Sequence, residues 1–387
     1  MKVAILGGGP SGAFAAERLA SAGVETVVLD EKLAWEKPCG GGLTWKAYSQ
    51  YPFLQNGDSP KKVVTETVLG APDCQPVTLA LDRPILIYSR KDLNGLLLRR
   101  AEKAGAQVEK TRVLQMDRTD AGWNIRTKSG AFTADYCLVA TGARNPLRDF
   151  GTELLPSDTM TALGYYVPGD RPRIDIQFLP GLEGYIWVFP RCGHLSVGIC
   201  GGGSTAAELR VRLERYMKEQ ELPLEGATFY GHVLPSLETS SWERNRVSGD
   251  GWAAIGDAAG LVDPITGEGL YYAMRSADLA TQALLQEAPA HAGVAYRKAL
   301  RHDFMHDLEF ASSLAHRVYH GSFLGGSITS RMVQFTRLSP RFRGLMQDLF
   351  AGTQPYIGLK QRLFQGLTGS LAEIAFNLSR NKLRQTP

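Results

Sequence analysis

The sequence predicts an α/β fold, α+β overall once its later segments are counted, and three observations carry that prediction. Gly7, Gly9 and Gly12 form GxGxxG between the apolar run Val3 to Leu6 and a helical stretch. A second strand-then-glycine stretch, WAAIGDAAG at 252–260, lies far downstream. Between the two, residues 155–245 are patterned mainly as strands. Together they imply a Rossmann-like nucleotide-binding domain, an interleaved β-sheet domain and a C-terminal helical region. The expected boundaries are 1–70 with 90–155 and 246–290 for the first, 71–89 with 156–245 for the second, and 291–387 for the third.

The elements follow in order. KVAIL is a buried strand, AFAAERLASAG has helical periodicity closed by Gly23, and VETVVLD is the next strand. Residues 62–89 read as strands with turn residues, and RKDLNGLLLRRAEKAGA as an amphipathic helix. Residues 107–140 alternate like a β-meander ending in the buried strand YCLVA. One helix, AAELRVRLERYMKEQ, interrupts the β-rich middle, and ADLATQALLQ opens a mostly helical remainder.

With 387 residues and 44% hydrophobic content, the chain can bury a large core in two or three domains. No cationic, apolar, cleavable segment opens it, and no run of about 18 apolar residues occurs, so a cytoplasmic protein without a spanning helix is expected. Cys39, Cys74, Cys137, Cys192 and Cys200 are scattered and never spaced CxxC, which argues against a disulfide framework or zinc site and for a reducing compartment. The net charge of +4 is uneven. Residues 331–387 hold Arg331, Arg337, Arg341, Arg343, Lys360, Arg362, Arg380, Lys382 and Arg384 against only Asp348 and Glu373. Phe335, Phe342, Leu345, Leu349, Phe350, Leu363 and Phe364 are interleaved with them. That pattern suits peripheral contact with an anionic membrane surface as well as a solvated helical face. No recognition motif accompanies the charge, so nucleic acid is not an expected partner.

The glycine fingerprint has a physical reading. Gly7 permits the turn, Gly9 lets a pyrophosphate approach the backbone, and Gly12 packs helix on strand. Ser11 lies in the same loop, and the helix N-terminus attracts phosphate. Asp30 ends the next strand, where a carboxylate can accept from ribose hydroxyls.

IGDAAG followed by DPITGEGLYYAMRSA resembles the flavin-binding motif of the glutathione-reductase-like flavoproteins, in their hydroxylase branch. The resemblance implies FAD, with Asp257 on a ribityl hydroxyl and Gly267, Glu268, Gly269 and Leu270 bordering the isoalloxazine. It places Arg90 and Val113 at cofactor-contacting positions. The turn ATGARNPLR carries Thr141 where that branch often has the acid of an Asp-Gly pair. KPCGGG at 37–42 and YIWVFP at 185–190 narrow the likeness: over roughly residues 1–290 the sequence resembles the geranylgeranyl reductases, flavoenzymes that saturate isolated double bonds of prenyl chains.

That resemblance implies a loop of Cys39, Gly40, Gly41 and Gly42 lying against the flavin, with Cys39 facing the reaction space. Tyr185, Trp187 and Phe189 alternate along one strand face and would wall an apolar substrate slot beside Gly41 and Gly42. Protonating an isolated alkene leaves tertiary positive charge, which ring faces stabilise, and reduced flavin supplies hydride. Cys39, Tyr185 and a water held by Glu268 are the candidate proton sources. The substrate would be a geranylgeranyl chain, free as diphosphate or attached to a lipid, quinone or chlorin. No second dinucleotide fingerprint exists, so the electron donor is NADPH binding transiently or a reduced ferredoxin.

Two rivals share the scaffold. A flavin monooxygenase or halogenase would consume oxygen, although halogenases typically show WxWxIP where Tyr185 and Phe189 stand here. A non-catalytic prenyl-binding escort would need neither GDAAG nor TGEG. His302/His306 and His316/His320 have i,i+4 spacing but lack HExxH or ExxH, so no metal site is expected. Gly201 to Gly203 read as a turn.

Overall fold

A computed structural model describes residues 1–147, 149–363, 365, 366, 369 and 373. The chain divides into two compact units. The first comprises Met1–Cys39, Ser89–Met160 and Val233–Ser312, and the second Gly40–Tyr88, Thr161–His232 and Ser313–Pro387.

The core of the first unit is a six-stranded sheet ordered Ser248–Gly249, Trp252–Ala254, Tyr136–Val139, Lys2–Leu6, Glu25–Asp30, Gln107–Lys110. All neighbours run parallel except the first pair. Such strands are covered on both faces and read as continuous apolar runs; Val3, Ala4, Ile5 and Leu6 are accordingly fully buried. The helix Pro10–Ser21 packs between Arg90–Lys103 and Leu270–Gln286. A three-stranded antiparallel meander, Val113–Thr119, Gly122–Thr127 and Gly130–Ala134, is pinned by the Trp123 indole donating to the Gly251 carbonyl at 2.8 Å.

The second unit is built on an eight-stranded sheet ordered Thr228–Pro235, Thr159–Pro168, His194–Gly202, Glu183–Pro190, Ile174–Phe178, Lys62–Gly70, Val77–Ile87, Gly42–Leu43. It is mostly antiparallel, with Ile174–Phe178 parallel to Lys62–Gly70. Alternation along Glu183–Pro190 serves two apolar layers. Ile186 and Val188 pack with Leu209, Leu213 and Met217 of the helix Ala206–Glu219. Tyr185 and Phe189 pack against a cluster holding Ile85, Ile87, Phe178, Tyr319, Val333 and Met346. A reciprocal cap of Thr205 and Glu208 starts the helix Ala206–Glu219.

The expected boundaries shift: residues 156–160 and 233–245 fall in the first unit, and two larger stretches move as well. Residues 40–70 belong with the second unit, because Lys62–Gly70 hydrogen-bonds to Val77–Ile87 and Ile174–Phe178, and Gly42–Leu43 pairs with Leu86 and Ile87. The stretch 291–387 is not one region: its first part joins the first unit, where the Tyr296 hydroxyl donates to the Ala254 carbonyl at 2.9 Å. The short helices Trp45–Gln50 and Phe53–Asn56 and the hairpin Ser322–Phe323/Gly326–Ser327 carried no signal strong enough to anticipate. Phe364, Arg380, Lys382, Arg384 and Arg148 lie outside the described residues. Among the described residues, no helix is long and apolar enough to cross a membrane.

Candidate functional site

The first unit gathers most of the residues expected to hold a dinucleotide. Gly7 adopts φ +117°, and a Cβ there would stand 2.3 Å from the Ala140 carbonyl oxygen. A Cβ on Gly12 would stand 1.9 Å from the Gly7 carbonyl oxygen. Both glycines are therefore demanded by backbone packing. Gly9 is different: nothing lies within 4 Å of where its Cβ would be. It precedes the helix Pro10–Ser21, whose first turn has no side-chain cap and no acidic residue. Bare backbone beside an uncapped helix start suits a pyrophosphate.

Asp30 shapes the same loop. Its carboxylate accepts from the backbone N–H of Gly8 at 2.8 Å, of Lys32 at 2.7 Å and of Leu33 at 2.6 Å. A carboxylate offers about four lone-pair sites, so a ribose hydroxyl can still be served. The Asp30 carbonyl accepts from Thr111 at 3.0 Å, two residues before Val113, which is buried at the start of its strand.

GDAAG folds onto this loop, and TGEG onto GDAAG. Gly256, at φ +62°, approaches Ser11 so closely that a Cβ would stand 3.0 Å from its hydroxyl oxygen. A Cβ on Gly269 would stand 3.4 Å from Asp257 Oδ1. Gly269 precedes the 17-residue helix that begins at Leu270, also uncapped by any side chain. The turn before it is fixed by Asp263, whose side chain accepts from Ile265 and Thr266 at 2.8 and 3.0 Å. Gly267 takes φ +70° there, and Glu268, half-buried, donates its N–H to Thr266 Oγ1 at 3.2 Å.

Two residues that the sequence reading passed over tie these parts to the segment ending in Cys39. The Glu36 carboxylate accepts from the backbone N–H of Arg90 at 2.9 Å and of Lys91 at 3.3 Å, so it serves the start of the helix Arg90–Lys103. Lys37 Nζ lies 3.2 Å from Asp257 Oδ2. The signal was available: both are charged residues directly preceding PCGGG. Arg90 is 4% exposed, and its Nε is buried without a hydrogen-bond partner among the described residues. A buried cationic donor in that state calls for an acceptor, which an anionic cofactor supplies. Loop, carboxylates and orphaned donor together suit FAD.

Cys39, half-buried, closes the first unit, and the glycine run opens the second. A Cβ on Gly40 would stand 2.2 Å from the Phe189 ring. One on Gly41, at φ +85°, would stand 2.0 Å from the Tyr88 carbonyl oxygen. Gly42 would meet only ordinary contacts, 3.5 Å and beyond. The Gly41 carbonyl accepts from the Tyr88 N–H at 2.9 Å. Burial pushes the Tyr88 phenol up to about 12, leaving it a neutral donor to the Leu54 carbonyl. Within this unit, then, Gly40 and Gly41 must be glycine because protein atoms occupy their Cβ positions.

Arg191 is the other residue that sequence reasoning missed. It follows WVFP directly, is fully buried, and donates from Nε to the Gly40 carbonyl at 3.4 Å over the face of Tyr166 at 5.3 Å. Of the three aromatics, Trp187 is 7% exposed, with its ring over Gly198, where a Cβ would stand 2.3 Å away. Tyr185 and Phe189 are half-buried, and the Tyr185 ring lies 6.4 Å from that of Phe178.

The remaining candidates resolve simply. His316 and His320 stack at 4.8 Å, and His320 Nε2 lies 3.4 Å from Glu183. Asp303, beside His302, is held by Arg275. Among the described residues, no group of three or more His, Cys, Asp or Glu is placed to hold a metal ion. Gly201 lies in a strand, paired with Thr161 and Gly184.

Residues 1–222 match the family model described as pyridine nucleotide-disulphide oxidoreductase. The chain is 26% identical over 323 residues to the chloroplastic geranylgeranyl diphosphate reductase of Arabidopsis thaliana, a match covering 74% of this chain and 66% of that protein. It is 23% identical over 296 residues to the digeranylgeranylglycerophospholipid reductase of Methanocaldococcus jannaschii, covering 70% and 73%. Among solved structures, a geranylgeranyl bacteriochlorophyll reductase-like protein of Thermoplasma acidophilum superposes with a TM-score of 0.77 at 22% identity, over 94% of this chain and 98% of that one. That likeness shows a shared fold.

Proposed function

This chain belongs to the pyridine nucleotide-disulphide oxidoreductase family, and on that premise we propose that it is an FAD-dependent reductase that saturates isolated C=C bonds of a geranylgeranyl chain. One observation carries the reading. The segment Glu36 to Cys39 is tied through Glu36 to the helix bearing Arg90 and through Lys37 to Asp257. The thiol that the resemblance assigns to the reaction thus ends a stretch held by the elements suited to the cofactor. The Arabidopsis and Methanocaldococcus relatives carry geranylgeranyl compounds in their names, which sets the substrate class.

In this reading Gly9, the start of the helix Pro10–Ser21, Asp30, Arg90, Asp257 and Gly269 hold FAD, which when reduced supplies a hydride. The chain supplies the rest. Arg90 satisfies its buried donor on the cofactor. Cys39, Tyr185 or a water held by Glu268 gives a proton to one alkene carbon, so that proton and hydride together add one pair of hydrogens. Tyr185 and Phe189 stabilise the tertiary positive charge on the other carbon, each ring face by about 0.5–2 kcal/mol. Water must be excluded for that charge to survive, and an apolar layer suits the purpose. The isoprenoid is a free diphosphate or is attached to a lipid, quinone or chlorin, and the basic C-terminal helices favour a peripheral place on a membrane. The electron donor is NADPH or a reduced ferredoxin, which anaerobic mixing of each with the yellow protein distinguishes by bleaching.

Mass spectrometry of geranylgeranyl diphosphate after anaerobic incubation with the dithionite-reduced protein tests the reading. Products heavier by pairs of hydrogen are expected. Unchanged substrate anaerobically, with oxygen consumed in air and a hydroxylated or halogenated product formed, would assign the chain to the monooxygenases or halogenases instead.

A further inference from the structure

From the hairpin Ser322–Ser327 we infer a membrane-docking point: an apolar tip that seats this protein on an anionic lipid bilayer. The two strands, Ser322–Phe323 and Gly326–Ser327, are joined by Leu324 and Gly325 at φ +50° and +72°. Two successive positive φ values normally select Asn-Gly or Gly-Gly, because a large side chain is strained there. Here the first position holds leucine, and that leucine is 58% exposed. Neither local conformation nor packing accounts for its side chain. Phe323 beside it is 40% exposed, touching Phe335 edge-on at 6.3 Å.

The turn is braced from behind. Arg331 Nε donates to the Phe323 carbonyl at 3.1 Å, and its Nη2 donates to the Leu324 carbonyl. A guanidinium gripping both carbonyls presents the tip as a fixed feature. The surroundings select the occupant. The segment 313–363 carries seven Lys/Arg residues against Asp348; Arg362 is paired with Asp348 and Arg341 with Glu373, and Asp73 lines the neighbouring cavity, which leaves the segment basic. Apolar tips on a basic segment partition into anionic membrane surfaces, and each cation near the surface strengthens the attraction. Gly325 and Gly326 also line a cavity of about 550 Å³ together with Asp73, Tyr319, His320 and Arg331. Tyr319 belongs as well to the apolar cluster against which Tyr185 packs. The purpose of the docking rests on the reading of the substrate as a lipid-borne chain, but its test does not.

Flotation of the flavin-loaded protein with vesicles of phosphatidylglycerol and phosphatidylcholine, against pure phosphatidylcholine, provides that test. The wild type is expected to float with the anionic vesicles only. Leu324→Gly relieves the strained φ, so its melting temperature should hold or rise. Its partitioning should nevertheless fall about tenfold, by loss of one buried leucine side chain. Arg337→Gln, on an exposed position of the helix Ile328–Leu338, should lower partitioning about fivefold. Leu324→Gly floating like the wild type would overturn the inference. So would equal binding to both vesicle types, or a dimer lost in Leu324→Gly without any lipid binding. Flotation requires no turnover, so failure here is separable from failure of the reductase reading.

Discussion

Two glycine runs invite comparison, Gly7 to Gly12 and Gly40 to Gly42. In the first, the atoms that forbid a Cβ at Gly12 come from Gly7 itself, and those at Gly7 from the adjacent strand end at Ala140. In the second, none comes from the run itself: they are the Phe189 ring and the Tyr88 carbonyl. The first loop is a backbone device, closed by its own atoms and the neighbouring strand end, that recurs wherever strand, turn and helix meet a phosphate. The second is a loop shaped, within its own unit, by the Phe189 ring, the strand end at Tyr88 and the buried guanidinium of Arg191. Equal composition therefore conceals unequal causes, and mutations should separate them.

The largest effects belong to the first loop. Gly12→Val should prevent accumulation of folded, yellow protein, because its Cβ would overlap the Gly7 carbonyl. Gly9→Ala meets no protein atom within 4 Å. It should melt like the wild type yet retain flavin at least about tenfold more weakly, the loss expected from crowding a phosphate contact worth about 1.4 kcal/mol or more. Absorbance per mole and melting curves check both.

Gly40→Ala should keep its flavin but lose about 100-fold in turnover, since a displacement of about 1 Å at a reacting loop has that cost. Gly40→Ala should also lower the melting temperature, and adding Phe189→Leu should recover part of that loss by vacating the ring position, whatever it costs turnover; if it recovers none, the loop is not held as described. Arg191→Met leaves the Gly40 carbonyl without that donor and should cost about 1–3 kcal/mol, read as a lowered melting temperature. Arg191→Lys should restore part of it. The smallest effects concern the thiols. Burial pushes the Cys200 thiol up to about 11 and raises that of Cys137 as well. Both should resist alkylation at neutral pH until the protein unfolds, whereas exposed Cys192 should label first.

These contrasts also explain what was legible beforehand. The strands Lys2–Leu6, Glu25–Asp30 and Tyr136–Val139 and the helices Pro10–Ser21 and Arg90–Lys103 could be read because buried parallel strands and periodic helices closed by glycine announce themselves locally. Asp30, Gly9 and Asp257 could be singled out for the same reason, since each lies within a motif. The place of Lys62–Gly70 could not: its alternation fits a strand in any sheet, and only pairing with Ile174–Phe178 decides which. Arg191, Lys37 and Glu36 were missed because a charged residue beside a motif looks like ordinary surface until its partner is known. The protein atoms filling the Cβ positions of Gly40 and Gly41 were equally hidden, since sequence reveals a need for glycine without naming what crowds it.

The most direct measurement follows flavin absorbance after adding geranylgeranyl diphosphate to the reduced protein in the strict absence of oxygen, in the wild type and in Cys39→Ala. The account predicts that the yellow colour returns in the wild type as hydrogen passes to the prenyl chain, and returns far more slowly in the variant with equal flavin content. A flavin that stays bleached until air is admitted would contradict it.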